Sequence, residues 1–176
     1  MPVPVAATSR SSYATRGKSR RVGAFFDVDK TLIAENSGSL YLKHRYRLGE
    51  IGGRELLKGL SAYLRYKVGI LDIEAWSRGM MRDFKGRTEE DLSTEGRELF
   101  DELMRAVIYP TALEMIQAHQ AQDHVVALVS GAVRYVLEPL AKHLGVEHIL
   151  CSRLEVKDER LTGRTVDPLC FREGKI

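Results

Sequence analysis

The sequence contains little cysteine and no long apolar segment. Of its 176 residues only two are cysteines, Cys151 and Cys170, and they form no Cys-x-x-Cys pair. This excludes a disulfide-stapled scaffold and a zinc knuckle, and it fits a reducing compartment. No apolar run approaches the ~18 residues that a transmembrane helix needs. We therefore expect a cytoplasmic protein without a membrane span.

The first part of the chain contains no acidic residue. Five basic residues precede Asp27, which is the first acid, and they account for much of the net charge of +3. Residues 1–20 are also rich in Ser, Thr and Pro, which predicts a disordered basic leader. The leader has no apolar stretch of the kind that a secretory signal contains. We interpret it as a solvated tail and expect no nucleic-acid binding.

Three short apolar runs have the composition of buried strands. Residues 22–27 and 125–130 are nearly continuous apolar runs that end in Asp27 and Ser130, as parallel strands do when they open into a site. Residues 148–151 predict a third short strand, and residues 154–166 alternate in part and predict a hairpin.

Helix-prone sequence fills the intervals between these strands. Residues 36–108 are charged, with apolar residues at helical spacing and glycines as breaks, and they predict about four helices. A further helix is expected to begin at Pro110. Another is expected to begin at Gly131, to be kinked by Pro139 and to end at Gly145.

This order of elements predicts an α/β fold with a Rossmann-like, doubly wound parallel sheet. The core would comprise residues 21–35 and 109–176. Residues 36–108 would form an inserted helical cap over the carboxyl edge of the sheet, where ligands bind in such folds.

The segment Asp27-Val28-Asp29-Lys30-Thr31 directly follows the first predicted strand. Two carboxylates at this spacing can converge on one hard cation, with water and phosphate oxygens as the other ligands. Mg²⁺ beside Asp27 would offset the repulsion between a carboxylate and a phosphomonoester, so that Asp27 could attack phosphorus. Asp29 could then protonate the leaving oxygen and later activate water. An ordinary acidic turn is the alternative for this motif alone.

Two further segments could bind phosphate. Ser130 and Gly131 end the second strand, where a hydroxyl and the N–H groups of a helix start can hold a phosphate oxygen. The Lys175 ammonium group could offset the charge of phosphate and carboxylates. Taken singly, Ser130-Gly131 is better explained as a helix N-cap and Lys175 as a surface lysine.

Together the three segments resemble the motifs of the haloacid dehalogenase superfamily, in particular its phosphoserine phosphatase-like branch with a helical cap (subfamily IB). Asp27 to Ile33 is similar to the first motif, Leu128 to Gly131 to the second and Lys175 to the third. The similarity extends over residues 22–176. It implies Asp27 as nucleophile, Asp29 as acid/base and Mg²⁺ held by Asp27 and the backbone carbonyl of Asp29. The residues implied in phosphate binding are Thr31, Ser130, Gly131 and Lys175.

Several positions depart from the family's pattern. Lys30 stands where the superfamily most often has Gly, and Asn36 stands where phosphoserine phosphatases have a Glu that contacts the substrate. Glu35, one residue earlier, is a weaker candidate for that role. Arg78 resembles the cap arginine that binds the substrate carboxylate, although a solvated helix face explains it as well. Phosphoserine itself is therefore a doubtful substrate.

The fourth motif of the family, an acidic Gly-Asp-x-x-x-Asp segment, is absent from the sequence, which contains no Gly-Asp pair. We therefore expect a truncated member that lacks the C-terminal strands. The leading hypothesis is a Mg²⁺-dependent phosphatase of a small phosphorylated metabolite, complete only if the missing segment exists. The alternatives are an inactive remnant that binds a partner, or one domain of a larger hydrolase–acyltransferase fusion.

Overall fold

Four strands form one sheet in the order β1-β2-β3-β4. The computed structural model describes residues 22–70 and 72–171. The first three strands, β1 (Gly23–Asp27), β2 (Val125–Val133) and β3 (His148–Lys157), are mutually parallel, and β4 (Arg160–Val166) runs antiparallel to β3. The predicted α/β fold with parallel strands and a following hairpin is confirmed. The third strand is longer than predicted, because residues 148–151 and the first half of the hairpin form one continuous strand.

Six α-helices accompany the sheet in the described residues, and four of them lie within residues 36–108, as predicted. Their bounds are α1 (Ser37–Arg47), α2 (Gly53–Lys67), α3 (Ile73–Met81), α4 (Glu89–Leu99), α5 (Pro110–Gln120) and α6 (Arg134–Leu144). A 3₁₀ turn (Arg82–Phe84) follows α3, and α4 continues into a π turn (Phe100–Met104) and a 3₁₀ turn (Arg105–Val107).

Local capping residues explain where several helices begin and end. Asn36 caps α1 by accepting a hydrogen bond from Ser39 N–H, and Asp72 caps α3 in the same way. Thr88 and Asp91 exchange side-chain and backbone hydrogen bonds at the start of α4, which satisfies two helix-end donors at once. Gly145, with φ of 65°, adopts the left-handed conformation that ends α6.

The expectation that a helix begins at Gly131 is wrong. β2 continues through Val133, and α6 begins at Arg134. The ladder between β2 and β3 shifts its register between Ser130 and Val133. The Ser130 hydroxyl accepts a hydrogen bond from Ala132 N–H (3.1 Å). This local bond gives the backbone an alternative to the first helical turn, so the helix starts three residues later.

The hydrophobic core lies on one face of the sheet. Ala24 and Phe26 of β1 pack there with residues of α5 and α6, and the Phe26 ring meets His119 of α5 edge to face. On the opposite face Phe25 is 68% exposed and Leu150 is 48% exposed. Because side chains alternate along a strand, Asp27 shares this open face with Phe25.

The segment after β1 is fixed to the core at two places. Gly86 N–H donates to Leu161 O (2.8 Å) and Leu161 N–H donates to Arg87 O (2.9 Å), so the turn after α3 pairs with β4. Further along, α4 packs so closely on α6 that a Cβ atom on Gly96 would lie closer than 3.0 Å to the carbonyl oxygen of Tyr135.

The outer face of α2 is apolar and exposed. Leu57, Leu60 and Leu64 are each more than half exposed. These three leucines recur at helical spacing, and they therefore form a row that faces solvent and not the core. Within residues 22–70 and 72–171, no helix has both the length and the apolar character that crossing a membrane requires.

Candidate active site

Asp27 is the last residue of β1 and lies beside the second sequence motif on β2. In the parallel register Asp27 is opposite Val129, so Ser130 follows directly on the neighbouring strand. The order of two βα units therefore brings the first two sequence motifs to one edge of the sheet. The Thr31 hydroxyl donates a hydrogen bond to Asp27 Oδ2 (3.4 Å), which joins two predicted site residues.

A groove of about 870 Å³ opens beside Asp27 on the uncovered face of the sheet. Arg134, Arg153 and Cys151 also line it. Burial raises the pKa of the Cys151 thiol, with the Arg134 guanidinium acting in the opposite direction. The thiol therefore stays protonated at neutral pH and is a poor nucleophile.

The Asp29 carboxylate is held by the N-terminus of α1. Its Oδ1 accepts a hydrogen bond from Ser37 N–H (2.8 Å), and its Oδ2 accepts one from Asn36 Nδ2 (3.2 Å). Asn36 thus caps α1 and orients Asp29 at the same time.

A second cavity, of about 110 Å³, lies on the other side of Asp29. It is enclosed by α1, α3, the 3₁₀ turn after α3 and the end of β2. Its lining residues are Asp29, Asn36, Ser37, Gly38, Tyr41, Trp76, Ser77, Met80, Met81, Phe84, Gly131, Ala132, Val133, Val136 and Phe171. The predicted cap segment therefore supplies most of one wall, and the second motif supplies part of the other.

Ser130 and Gly131 occupy different surroundings. Ser130 is 2% exposed, and its hydroxyl is bonded to the Ala132 N–H. Gly131 lines the cavity, where the Phe171 ring covers it so closely that a Cβ atom would lie within 3.0 Å of the ring. Lys175 lies outside the described residues. The prediction that Asp27, Asp29, Ser130 and Lys175 share one pocket therefore stays a prediction.

The two candidate substrate-binding residues contact other groups. Glu35 pairs with Lys43 (3.6 Å). Arg78 donates to Thr165 Oγ1 (2.8 Å) and pairs with Asp167 (2.7 Å), which ties α3 to β4 and the residues after it. Neither Glu35 nor Arg78 lines the cavity beside Asp29.

Sequence reasoning missed four residues of this region. Asn36 stood out only as a departure from the family's pattern, although an Asn just before a helical run is a known capping signal. Phe171, Arg134 and Arg153 carry no local signal, because only the tertiary packing places them beside Gly131 and Asp27.

The contact between Gly131 and Phe171 leads to a first prediction. Gly131→Ala is expected to lower the free energy of unfolding by about 1–3 kcal/mol, as overpacking a filled site does. The double variant Gly131→Ala/Phe171→Ala should recover part of that loss, since the ring is the clashing group. Urea denaturation of the two variants and of Phe171→Ala alone measures the coupling. Strictly additive losses would show that the ring does not cover Gly131.

Comparison with known proteins identifies relatives of this chain. A probable phosphatase from Mycobacterium tuberculosis is 27% identical over 88% of this chain and 55% of its own length. A phosphoserine phosphatase of the same organism is 27% identical over 99% of this chain and 58% of its own length. The chain thus spans little more than half the length of these two relatives.

A solved structure has the same fold. A protein of unknown function from Bordetella pertussis superimposes with a TM-score of 0.77 at 28% identity, over 89% of this chain and 70% of its own. The family profile described as haloacid dehalogenase-like hydrolase matches residues 24–176. This range includes the predicted site residues Asp27, Asp29, Ser130 and Lys175. This chain is a member of the haloacid dehalogenase-like hydrolase family.

Proposed function

We propose that this chain carries the catalytic centre of a magnesium-dependent phosphatase that hydrolyses a small phosphomonoester through an aspartyl-phosphate on Asp27. The pairing of β1 with β2 supports the proposal, because it brings Asp27 of the first motif next to Ser130 of the second. Membership of a hydrolase family and the phosphatase names of two relatives support the reaction class.

The reaction would proceed in two displacements at phosphorus. An Asp27 carboxylate oxygen forms a bond to phosphorus while the bond from phosphorus to the leaving oxygen breaks, and Asp29 gives that oxygen its proton. Asp29 then takes a proton from water, whose oxygen attacks the phosphoryl group. Inorganic phosphate leaves and the Asp27 carboxylate is regenerated.

The position of Asp29 suits its proposed role as acid and base. Both of its oxygens lie within reach of donors on the start of α1, so the side chain has a fixed orientation toward the cavity that it lines. Rigid placement of a proton-transfer group is what this kind of catalysis requires. Thr31, bonded to Asp27, and Gly131, in the cavity wall, are proposed phosphate-binding residues together with Ser130 and Lys175.

The donor set beside β1 fits a magnesium ion. Asp27 offers carboxylate oxygen, and hard divalent cations such as Mg²⁺ prefer oxygen ligands and retain several waters. Because the Asp29 carboxylate accepts hydrogen bonds from Asn36 and Ser37, its backbone carbonyl is the group we assign as the second ligand. Among the described residues no cluster of three or more His, Cys, Asp or Glu side chains is placed to hold a metal. Bound Mg²⁺ would offset the repulsion between the two anions.

The test is an assay of the full-length protein with a generic phosphomonoester. We expect phosphate release that requires Mg²⁺ and is lost when a chelator is added. Rapid acid quenching followed by mass spectrometry should find one phosphoryl group on the peptide that contains Asp27. Turnover with no dependence on a divalent cation, or a phosphoryl group on another residue, would contradict the proposal.

A further inference from the structure

We infer that the cavity beside Asp29 selects a phosphomonoester whose leaving group is apolar or aromatic and carries no carboxylate. This inference rests on the proposed function and specifies its substrate class. It depends on the composition of the cavity wall, on the charges that face it and on the contacts of the nearest arginine.

The wall of the cavity is mainly apolar. Four aromatic rings and two thioethers contribute to it, from Tyr41, Phe84, Trp76, Phe171, Met80 and Met81. Apolar walls with a few polar groups are typical of sites for small organic ligands, and aromatic rings and thioethers pack well against another ring. The volume of about 110 Å³ is of the same order as an engineered cavity of about 150 Å³ that admits benzene. A single six-membered ring or a short branched alkyl group is therefore of the right size.

The charges that face the cavity disfavour an anionic leaving group. The described lining residues include no Lys, Arg or His, so the wall offers no cation to an anionic leaving group. Burial and the nearby Glu95 carboxylate raise the pKa of the Tyr41 hydroxyl, so this side chain stays neutral. A substrate carboxylate would lose water here and would meet no cationic partner in the described wall. Burial of an unpaired charge is strongly unfavourable.

Arg78 is the arginine expected from the sequence to bind a substrate carboxylate, and its contacts lie elsewhere. The neighbouring residue Ser77 lines the cavity and is buried, whereas Arg78 bonds to Thr165 and Asp167. A guanidinium already paired with a carboxylate gains little by exchanging it for another. Arg78 therefore joins α3 to the end of β4 and leaves the cavity wall uncharged.

Trp76 provides a reporter for the test, since it is the single tryptophan of the sequence and lines the cavity. The probes are two non-hydrolysable phosphonates, benzylphosphonate and 2-amino-3-phosphonopropionate, titrated in the presence of Mg²⁺. The signal is the fluorescence change that disappears in Trp76→Phe. We expect benzylphosphonate to bind at least ~10-fold more tightly than the amino acid analogue, a difference of about 1.4 kcal/mol.

Two substitutions in α3 separate the effect of a charge on the cavity wall from the effect of Arg78. Met80→Lys puts a cation on the wall with little change in side-chain volume, and it should shift the preference toward the amino acid phosphonate. Arg78→Met is the matched control, and it should leave the preference unchanged because Arg78 does not line the cavity. Tighter binding of the amino acid analogue to the unmodified protein, loss of that binding in Arg78→Met, or no binding of benzylphosphonate would each overturn the inference.

Hydrolysis assays distinguish this inference from the proposed function. Benzyl phosphate and phosphoserine are compared by kcat/KM under the same conditions. A preference for phosphoserine would refute the substrate class and leave the phosphatase proposal intact. Binding of benzylphosphonate without hydrolysis of either ester would refute the phosphatase proposal and leave the assignment of the cavity intact.

Discussion

Asp27→Asn is expected to abolish phosphate release by the full-length protein, with a loss of at least ~10³-fold, or about 4 kcal/mol of transition-state stabilisation. An amide oxygen is a much weaker nucleophile than a carboxylate oxygen, so the covalent step cannot proceed. The substitution preserves the size of the side chain, and the amide oxygen can still accept the hydrogen bond from the Thr31 hydroxyl. Weak Mg²⁺ binding should survive through Asp29. Phosphate release and calorimetric titration with Mg²⁺ measure the two effects.

A matched control for this variant is Asp158→Asn, which makes the same chemical change at an exposed turn between β3 and β4. Asn tolerates the left-handed backbone of that position (φ 50°). Its activity should equal that of the unmodified protein. Undiminished turnover in Asp27→Asn would refute the nucleophile assignment, and equal losses in both variants would point to a general effect on folding.

Gly96→Ala is expected to destabilise the protein by about 2 kcal/mol, although Ala is the better helix former. The added methyl group would collide with the carbonyl oxygen of Tyr135, a backbone atom that no side-chain rotation can move. Pro139 has no N–H to donate to that carbonyl, so the contact of Gly96 with α6 lies where α6 lacks a helical hydrogen bond. Accommodating the methyl group means separating the two helices.

Gly79→Ala serves as the control in the same urea denaturation experiment. Gly79 is an exposed helical glycine of α3, and no atom lies within 4 Å of its added Cβ. The free energy of unfolding of this variant should rise by about 0.5–1 kcal/mol, because Ala restricts the unfolded chain and causes no clash in the folded one. If Gly96→Ala were as stable as Gly79→Ala, the result would contradict the close contact between Gly96 of α4 and Tyr135 of α6.

The strand pattern and the acidic motif could be predicted because they depend on short stretches of chain. Residues 22–27 and 125–130 are apolar runs, and parallel order places their ends together at one edge of the sheet. The four helices within residues 36–108 followed from apolar residues at helical spacing and from glycines as breaks. These signals are local, and the structure confirms the elements they predict.

Other features depend on contacts between distant parts of the chain. The helix expected at Gly131 begins at Arg134, and the Phe171 ring that covers Gly131 comes from a segment 40 residues further along. The role expected for Arg78 depended on its place in α3, whereas its partners lie on and just after β4. The exposed leucine row of α2 has the same periodicity as a buried one, so the sequence could not show which side it faces.

The backbone pairing of Gly86 and Arg87 with Leu161 determines which helices can move relative to the sheet. The turn after α3 is bonded to β4, α4 is packed on α6, and α1 is bonded to Asp29, so α2 and α3 are the helices that can move without breaking these contacts. Movement of α3 for substrate entry or product release requires Arg78 to leave Asp167. Both side chains are partly exposed, so dissolved salt screens their attraction. The rate of product release should therefore increase with ionic strength, and Arg78→Met should remove that dependence.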